Sequence, residues 1–531
     1  MKRFSRPFVA VAVAVMALSA HAAAGHPGLE TDVPLPPPPA GTPTTPYPTG
    51  DPAVVGQWDR PFPLPVQAEA AAVLPTGKVL LFITNSSPSL WDPATGATKT
   101  VPLDDELSIN CAGVAFLPDG RLLVNGGHQG DTPWKGHRGT FAFDPWTETW
   151  ARLADMHEGR YYPGTIALAD GRALTVNGND DQGVDPGTTE IFDGASWAAP
   201  VAAPPMEFYP RMHVLPSGDV VRVGQDAEAA FFDPVAGSWR AGPRSSSGMR
   251  WGGISVILPG LDRVLVAGGS NFGLSSEGHG QVPALRDGPD RIADNGVAAA
   301  SDGPNGATAA AEILDLSGGQ AAYRSAAPMH LPRRDFAGVA LADGDVLVLG
   351  GAAGVEPVPG WGDYSFHPEL FDSESESWKL MAPAERTRGY HSTGLLLPDG
   401  RVLFAGGDFE QTRDTTAAPL TNTGEIYSPP YLFRGPRPLI AAAPRAVSYG
   451  ERFLVRSSGA PVRGAALVRL GSATHSLNTD QRWVGLDAQV AGGAVHLHAP
   501  ATGAIAPPGY YMLFLLSDAG VPSVSSIVKV G

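Results

Sequence analysis

The sequence Leu-Leu-Leu-Pro-Asp-Gly-Arg-Val at residues 395–402 is a β-hairpin signal, because a Pro-Asp-Gly turn joins two apolar runs. The turn recurs in the form Pro/Ala-x-Gly, and its first four copies place Gly77, Gly120, Gly171 and Gly218 at intervals of 43, 51 and 47 residues. Kelch-type blades have a period of about 40–50 residues. The pattern therefore predicts seven four-stranded blades of a β-propeller. The seven turns are Leu74–Gly77, Leu117–Gly120, Leu168–Gly171, Leu215–Gly218, the variant Leu258–Asp262, Leu341–Gly344 and Leu397–Gly400.

A second element follows several of these turns and predicts the outer hairpin of a blade. It consists of an aromatic residue, an aspartate and then a tryptophan. The step between the fifth and sixth turns contains residues 275–305, rich in Gly, Asp, Pro and Ala, which we interpret as a loop inserted in one blade. The copies of the second element are Phe143-Asp144 with Trp150, Phe192-Asp193 with Trp197, Phe232-Asp233 with Trp239, and Phe371-Asp372 with Trp378.

The repeat stops near Pro436, and short apolar runs with Gly- and Pro-rich turns continue to the last residue. We therefore predict an all-β chain with a seven-bladed kelch-type propeller over residues 55–436. An immunoglobulin-like (early-set) β-sandwich is expected over residues 437–531.

Composition supports a globular β protein. The 531 residues include 65 Gly and 52 Pro, which argues against a helical fold. Hydrophobic residues make up 43% and charged residues 17%, so the chain can form a large core. The net charge is −16 and no long basic run is present, which makes nucleic acid an unsuitable partner.

The first residues resemble an export signal. Lys2, Arg3 and Arg6 precede an uncharged run, and Ala20-His21-Ala22 fits a cleavage site. We predict a signal peptide over residues 1–22, a Pro-rich linker over 23–54, and an extracellular or periplasmic protein with no membrane span after cleavage. An uncleaved anchor is the alternative. A single cysteine, Cys111, is unusual in an exported chain and requires an explanation.

Residues capable of chemistry occur at matching places before three of the turns. Cys111 is nine residues before Gly120, Tyr162 is nine before Gly171, and Tyr390 is ten before Gly400. Inner strands of a propeller surround its axis, so these side chains are expected to converge there. Phenolate, imidazole and thiolate donors suit copper or iron better than magnesium or calcium. Each residue alone has a structural interpretation as a buried, hydrogen-bonded or inert side chain.

Three longer stretches resemble the galactose oxidase and glyoxal oxidase family of copper radical oxidases. They are Arg-Gly-Tyr-His-Ser through Val402 (388–402), Gly-Ser-Ala-Thr-His-Ser-Leu-Asn-Thr-Asp-Gln-Arg (471–482) and Pro-Gly-Tyr-Tyr-Met-Leu-Phe (508–514). The resemblance runs from about residue 60 to the end of the chain. It implies a propeller followed by a β-sandwich that sends one histidine along the axis to a metal.

Carried over residue by residue, the resemblance implies a complete copper site. Tyr390 would be the axial phenolate and catalytic base, and His391 and His475 the two imidazole ligands. Tyr162 would be the other phenolate, joined by a thioether to Cys111 to form the radical cofactor. The thioether would explain the lone cysteine.

The implied activity is the two-electron oxidation of a primary alcohol or aldehyde, glyoxal-like or carbohydrate, with reduction of dioxygen to hydrogen peroxide. A small-molecule substrate, dioxygen and a monomeric chain are expected. No carbohydrate-binding-like sandwich precedes the propeller, and residues 177–181 contain no Trp to stack on the crosslinked Tyr, which favours glyoxal-oxidase-like or bacterial members. The alternatives are a non-catalytic kelch propeller that binds a glycan or cell-wall partner, and a mononuclear metal enzyme without the crosslink.

Overall fold

A computed structural model describes residues 50–83, 86–104, 107–129, 135–270, 307–353, 364–407, 422–491 and 494–531 of the chain. The structure is all-β, as predicted, and within these ranges helix is confined to α1 (Pro52–Val55) and a 3-10 turn (Pro430–Phe433). The predicted signal peptide, the linker up to residue 49 and the insertion at 275–305 lie outside the described residues.

The strands before residue 430 are short, as the spacing of the turn sequences requires. They are β1 (Gln57–Trp58), β2 (Phe62–Pro63), β3 (Ala70–Val73), β4 (Val79–Phe82), β5 (Ser89–Trp91), β6 (Thr98–Thr100), β7 (Gly113–Phe116), β8 (Leu122–Asn125), β9 (Thr140–Asp144), β10 (Thr149–Arg152), β11 (Gly164–Ala167), β12 (Ala173–Val176), β13 (Thr188–Phe192), β14 (Val201–Ala202), β15 (Arg211–Val214), β16 (Val220–Val223), β17 (Glu228–Asp233), β18 (Ser238–Arg244), β19 (Ile254–Ile257), β20 (Arg263–Ala267), β21 (Ala311–Asp315), β22 (Ala322–Ala326), β23 (Arg334–Ala340), β24 (Val346–Ala352), β25 (Glu369–Asp372), β26 (Ser377–Leu380), β27 (Ser392–Leu396), β28 (Val402–Gly406) and β29 (Thr423–Ser428).

These strands form small antiparallel sheets of neighbours in sequence. Consecutive four-stranded sheets comprise β7–β10, β11–β14, β15–β18, β19–β22 and β23–β26. A further sheet combines the first strands of the described chain with later ones, in the order β1-β29-β28-β27, with β2 also paired to β29. This repetition of small sheets is the pattern of a β-propeller. The count of seven blades stays a prediction.

The repeated turns have the geometry that their sequence predicts. In the second copy the Gly120 N–H donates to the Leu117 carbonyl at 2.9 Å, and the Asp119 carboxylate accepts from the Arg121 N–H at 3.1 Å. Gly120 has a φ of +92°, a backbone conformation that strongly favours glycine. The glycine in this motif is therefore required by the turn.

The aromatic and tryptophan marks identify the outer hairpins correctly. Trp150 faces Phe143, Trp239 faces Phe232 and Trp378 faces Phe371 across paired outer strands, with ring centroids 4.9–5.1 Å apart. Trp197 and Phe192 make the same contact through an isolated bridge. Each pair contributes apolar burial and a favourable tilted ring contact to its own sheet.

The last part of the chain adds two sheets and one hairpin that pairs with a sheet of the earlier part. The sheets have the orders β30-β32-β38-β37 and β31-β40-β39-β33-β36, while the hairpin β34–β35 leaves them and joins β3–β6. In the described ranges no helix has the length and hydropathy to cross a membrane. The strands are β30 (Pro438–Ala442), β31 (Ala446–Val447), β32 (Arg452–Gly459), β33 (Val462–Arg469), β34 (Ser472–Thr474), β35 (Leu477–Asn478), β36 (Trp483–Leu486), β37 (Ala488–Ala491), β38 (Ala494–His498), β39 (Gly509–Ser517) and β40 (Ser526–Val530).

Candidate metal centre

The five residues singled out in the sequence come together at the starts of inner strands. Cys111 precedes β7, Tyr162 precedes β11, and Tyr390 and His391 precede β27. These three strands belong to different sheets, so only the tertiary fold brings their ends together. His475 arrives separately, at the tip of the β34–β35 hairpin.

The cluster is compact and mostly buried. The Tyr162 and Tyr390 hydroxyl oxygens are 2.6 Å apart. The His475 ring centroid lies 5.0 Å from that of Tyr162, 5.3 Å from that of Tyr390 and 4.4 Å from that of His391. Cys111, Tyr162 and His475 are buried, whereas Tyr390 and His391 are partly exposed. Solvent therefore reaches the cluster from the side of Tyr390 and His391.

The backbone at this cluster is left-handed at residues other than glycine. The φ angles are +54° at Cys111, +65° at Tyr162, +64° at His391 and +49° at His475. Such a conformation costs an L-residue about 1–2 kcal/mol, and it concentrates at sites where the surrounding structure imposes it. The residue that matches Cys111 and Tyr162 is therefore His391, nine residues before Gly400, and Tyr390 is displaced from their common position by one residue.

A tight turn presents His475. Thr474 pairs with Leu477, so His475 and Ser476 are the two central residues of the hairpin, and both have positive φ. Positive φ at both central positions is the type I′ geometry, which matches the twist of paired strands. The His475 Nδ1 atom is 2.6 Å from the Thr474 hydroxyl, and its Nε2 atom faces the cluster, 3.6 Å from the Cys111 sulfur.

Glu69 is a member of the cluster that the sequence analysis missed. It immediately precedes β3, is buried, and places one carboxylate oxygen 3.4 Å from the Cys111 sulfur. The same oxygen is 3.9 Å from His391 Nε2 and 3.8 Å from His475 Nε2. The available signal was a single charged residue inside the apolar run that begins the first inner strand.

Aromatic side chains that the sequence analysis also missed enclose Tyr162. The Phe208 ring stacks on Tyr162 with centroids 5.4 Å apart and an interplanar angle of 26°. Tyr209 meets the Tyr162 edge at 4.9 Å and stacks on His475 at 4.6 Å. Tyr209 stands nine residues before Gly218, the spacing already seen at Tyr162, so the repeat itself could have identified this segment.

Burial favours the uncharged forms of the thiol, of both phenols and of His475. It raises the pKa of the Cys111 thiol to about 12, with the Glu69 charge as the next cause. It also raises the pKa of Tyr162 and of Tyr390 well above the usual value of a phenol. For His475, burial and then the proximity of His391 lower the pKa well below that of a free imidazole. Phenolate or thiolate forms therefore require a positive charge in the cluster.

The residues present fit a transition-metal ion. The donor atoms of Glu69, Cys111, His391 and His475 lie within 4.8 Å of one another, and in the described parts of the chain no other group of His, Cys, Asp and Glu residues does so. A neutral imidazole whose Nδ1–H is donated to a hydroxyl presents its Nε2 lone pair to a metal. Imidazole nitrogen and phenolate oxygen suit copper, and the assembled donor set is compatible with that ion.

Other histidines of the chain lie outside this cluster. The His137 ring bonds the Ser108 carbonyl at 2.8 Å and the Gly139 N–H at 2.9 Å, which is a structural role in a loop. His496 and His498 are exposed on β38 of the last sheets.

Comparison with known proteins gives consistent matches along most of the chain. The family model described as "Galactose oxidase-like, Early set domain" matches residues 437–530. A galactose oxidase of Gibberella zeae is 29% identical over 525 residues, which cover 90% of this chain and 71% of that protein. An aldehyde oxidase GLOX of Vitis pseudoreticulata is 30% identical over 459 residues, covering 79% of this chain and 81% of that protein.

Among solved structures, one similar fold is that of a fungal alcohol oxidase of the AA5 family, determined in complex with copper. It superposes with a TM-score of 0.74 at 24% identity, covering 90% of this chain and 99% of the other. At this level of identity the likeness shows a shared fold.

Proposed function

The chain belongs to the galactose oxidase and glyoxal oxidase family of copper radical oxidases, and we propose that it oxidises a small primary alcohol or aldehyde at the cluster formed by Cys111, Tyr162, Tyr390, His391 and His475. The two electrons pass to dioxygen, which leaves as hydrogen peroxide. The observation that carries the proposal is the convergence of these five side chains from three sheets and a separate hairpin.

We propose Tyr162, Tyr390, His391 and His475 as the residues that hold copper. When bound, copper supplies a one-electron acceptor and a Lewis acid for the substrate oxygen. Burial raises the pKa of both phenols and lowers the pKa of His475, so a bound cation would replace the phenol protons and would meet an uncharged imidazole at His475. The partly exposed Tyr390 and His391 mark the side from which substrate enters.

The substrate loses a proton and a hydrogen atom to two different residues. We assign Tyr390 as the acceptor of the substrate hydroxyl proton. Burial holds the pKa of its phenol high, and bound copper would lower that pKa and so favour the phenolate. Tyr162 holds the second oxidising equivalent as a phenoxyl radical and takes the hydrogen atom from the substrate carbon. The one electron that remains on the substrate would go to the one-electron acceptor that bound copper supplies. The sum is RCH2OH + O2 → RCHO + H2O2, which balances in atoms and electrons.

The radical role of Tyr162 depends on its bond to Cys111. Forming a thioether removes the thiol hydrogen and one ring hydrogen, and dioxygen takes up both with two electrons as hydrogen peroxide. Support comes from the packing of both residues in one buried aromatic cluster and from the Tyr162 N–H, which donates to the Cys111 carbonyl at 3.1 Å. Phe208 stacks on the Tyr162 ring and occupies the shielding role for which no Trp is present in residues 177–181.

The organisation of the whole chain belongs to the same proposal. We infer seven kelch-type blades over residues 55–436 and an immunoglobulin-like sandwich over 437–531, supported by the serial four-stranded sheets and by the hairpin β34–β35 that joins the sheet of β3–β6. We also propose a signal peptide at 1–22, secretion and a monomeric state. The lack of a Trp in residues 177–181 supports a glyoxal-oxidase-like substrate range over a galactose-specific one.

Peptide mass analysis after copper loading in air tests this proposal. Cys111 and Tyr162 peptides should appear joined, lighter than their sum by two hydrogen atoms, with the thiol lost to alkylation. The His475→Ala variant should lose copper uptake, crosslinking and peroxide production. A Cys111 that stays alkylatable in copper-loaded, peroxide-producing protein would contradict the crosslink and leave a mononuclear metal enzyme. A chain that takes up no copper would contradict the oxidase.

A further inference from the structure

We propose that Glu69 supplies a carboxylate oxygen to the copper as an additional protein donor. The inference rests on the proposed function, since it concerns the same metal. It adds an oxygen ligand to the two imidazoles and two phenolates assigned above and changes the charge of the centre.

The fold fixes Glu69 beside the incoming histidine. Ala70, the first residue of β3, pairs with Thr474 in β34, so the adjacent residues Glu69 and His475 lie next to each other at the end of the two strands. This pairing joins the first inner strand to the hairpin that crosses from the C-terminal part of the chain. The pairing of Ala70 with Thr474 therefore fixes the backbone next to Glu69 and limits the movement of this residue.

The distances around Glu69 match those between ligands of one ion. Its oxygen is 3.9 Å from His391 Nε2 and 3.8 Å from His475 Nε2. A metal with bond lengths of about 2.0–2.3 Å keeps its neighbouring donor atoms about 3–4 Å apart. The distances from the Glu69 oxygen to the two imidazole nitrogens are thus within the range expected for ligands of one ion, and binding would require only a small shortening of them.

The electrostatics of a carboxylate at this position also favour a bound cation. Glu69 is 2% exposed, and a buried carboxylate has a large desolvation cost. A divalent ion among Glu69, His391 and His475 offsets that cost directly. An anionic oxygen donor stabilises Cu(II) relative to Cu(I), so the carboxylate should lower the reduction potential of the centre.

A second role for Glu69 would explain one of these contacts. In this alternative the carboxylate binds no metal and serves only to position the Cys111 thiol, whose sulfur is 3.4 Å away, for thioether formation. Glutamine keeps an oxygen acceptor for the thiol at nearly the same place, whereas it removes the anionic donor. Replacement by glutamine therefore separates the two roles.

The test is a titration of the metal-free full chain with Cu(II) in a chelator competition, without dioxygen, so that variants are compared before any thioether forms. The Glu69→Gln variant should bind Cu(II) at least about tenfold more weakly than the wild type. Its Cu(II) electron paramagnetic resonance spectrum should have altered hyperfine splitting. Glu69→Asp, which keeps the carboxylate, should recover part of the affinity, and thermal melts should show both variants folded.

Glu312→Gln is the matched control. Glu312 is a buried carboxylate hydrogen-bonded to Ser245 and Ser246, in the sheet of β21, and is not part of the metal cluster. This variant should bind copper as the wild type does.

The outcomes separate this inference from the proposed function. A Glu69→Gln chain with wild-type affinity and spectrum, in a protein that binds copper and forms the thioether, overturns the ligand role alone. Loss of the thioether with unchanged copper affinity and spectrum also overturns it, because copper binding then does not depend on the carboxylate. Wild-type protein that takes up no copper ends both proposals.

Discussion

Replacement of Thr474 by valine tests whether the hairpin prepares His475 to bind a metal. The Thr474 hydroxyl lies 2.6 Å from His475 Nδ1, and the two residues are 2% and 7% exposed, so water does not readily replace the lost partner. A buried donor left without its hydrogen bond costs about 1–3 kcal/mol of folding stability. Valine has nearly the shape of threonine, so packing changes little.

The effect on copper should exceed a simple loss of stability. The Nδ1 hydrogen bond holds the imidazole ring and its tautomer, which leaves Nε2 directed at the cluster. Loss of such a partner typically weakens metal binding by about 10–100-fold, which corresponds to about 1.4–2.7 kcal/mol. We expect Thr474→Val to raise the copper dissociation constant by that factor in a chelator competition titration.

A second variant controls for the loss of any buried hydroxyl from this part of the chain. Thr479→Val removes a hydroxyl of the same hairpin that donates to the Val114 carbonyl at 2.9 Å, without touching a metal donor. Copper affinity equal to that of the wild type in Thr474→Val, or an equal loss in Thr479→Val, would refute the reasoning.

Three further predictions concern the packing of Phe208 and the shifted pKa values of the two phenols and of His213. Phe208→Leu removes the ring stacked on Tyr162 and should lower the free energy of unfolding by about 1–3 kcal/mol. It should also shorten the lifetime of the oxidised enzyme, measured by its visible absorbance. An unchanged lifetime would count against the shielding of Tyr162 by Phe208. Copper affinity should rise between about pH 6 and about pH 8, by about tenfold per pH unit for each proton displaced, because burial raises the pKa of Tyr162 and Tyr390; a flat profile would mean that the phenols stay protonated. The His213 ring is hydrogen-bonded to Ser255, and burial, followed by the charges of nearby Arg residues, lowers the pKa of His213 to about 3. As the pH falls below about 6.5, the unfolded chain therefore takes up a proton at this residue while the folded protein does not. The free energy of unfolding should drop by about 2 kcal/mol between about pH 7 and about pH 5. Denaturant titrations should show a smaller drop in His213→Gln, and equal drops would contradict the assignment.

Much of the fold could be predicted because turns and strand periodicity are local properties. The Pro-x-Gly turns needed a residue with positive φ, as Gly120 shows, and the Phe and Trp pairs marked the outer hairpins. The number of blades is not a local property, since it depends on how the sheets pack around an axis. The joining of β1 to β29 is a long-range contact for which the local sequence carries no signal.

The candidate site was predicted through residue type and spacing, and its omissions have a physical cause. Cys111 and Tyr162 share a register because they share a left-handed backbone position before an inner strand. The same spacing of nine residues before the turn glycine also selects Tyr209 and His391. The sequence prediction used Tyr390, which lies one residue before His391. Glu69 lies outside the rule, and only the pairing of β3 with β34 brings it to the cluster.

The β class, the repeat and the residue types able to bind a metal could be predicted from the amino-acid sequence, since these depend on turn chemistry and side-chain donors. The tertiary structure alone decided which donors meet. It placed the Tyr162 and Tyr390 oxygens 2.6 Å apart although 228 residues separate them, and it set Phe208 on the Tyr162 ring. The reason is that closing long loops requires the packing of whole sheets, whose free energy is spread over the core and not encoded in any one segment.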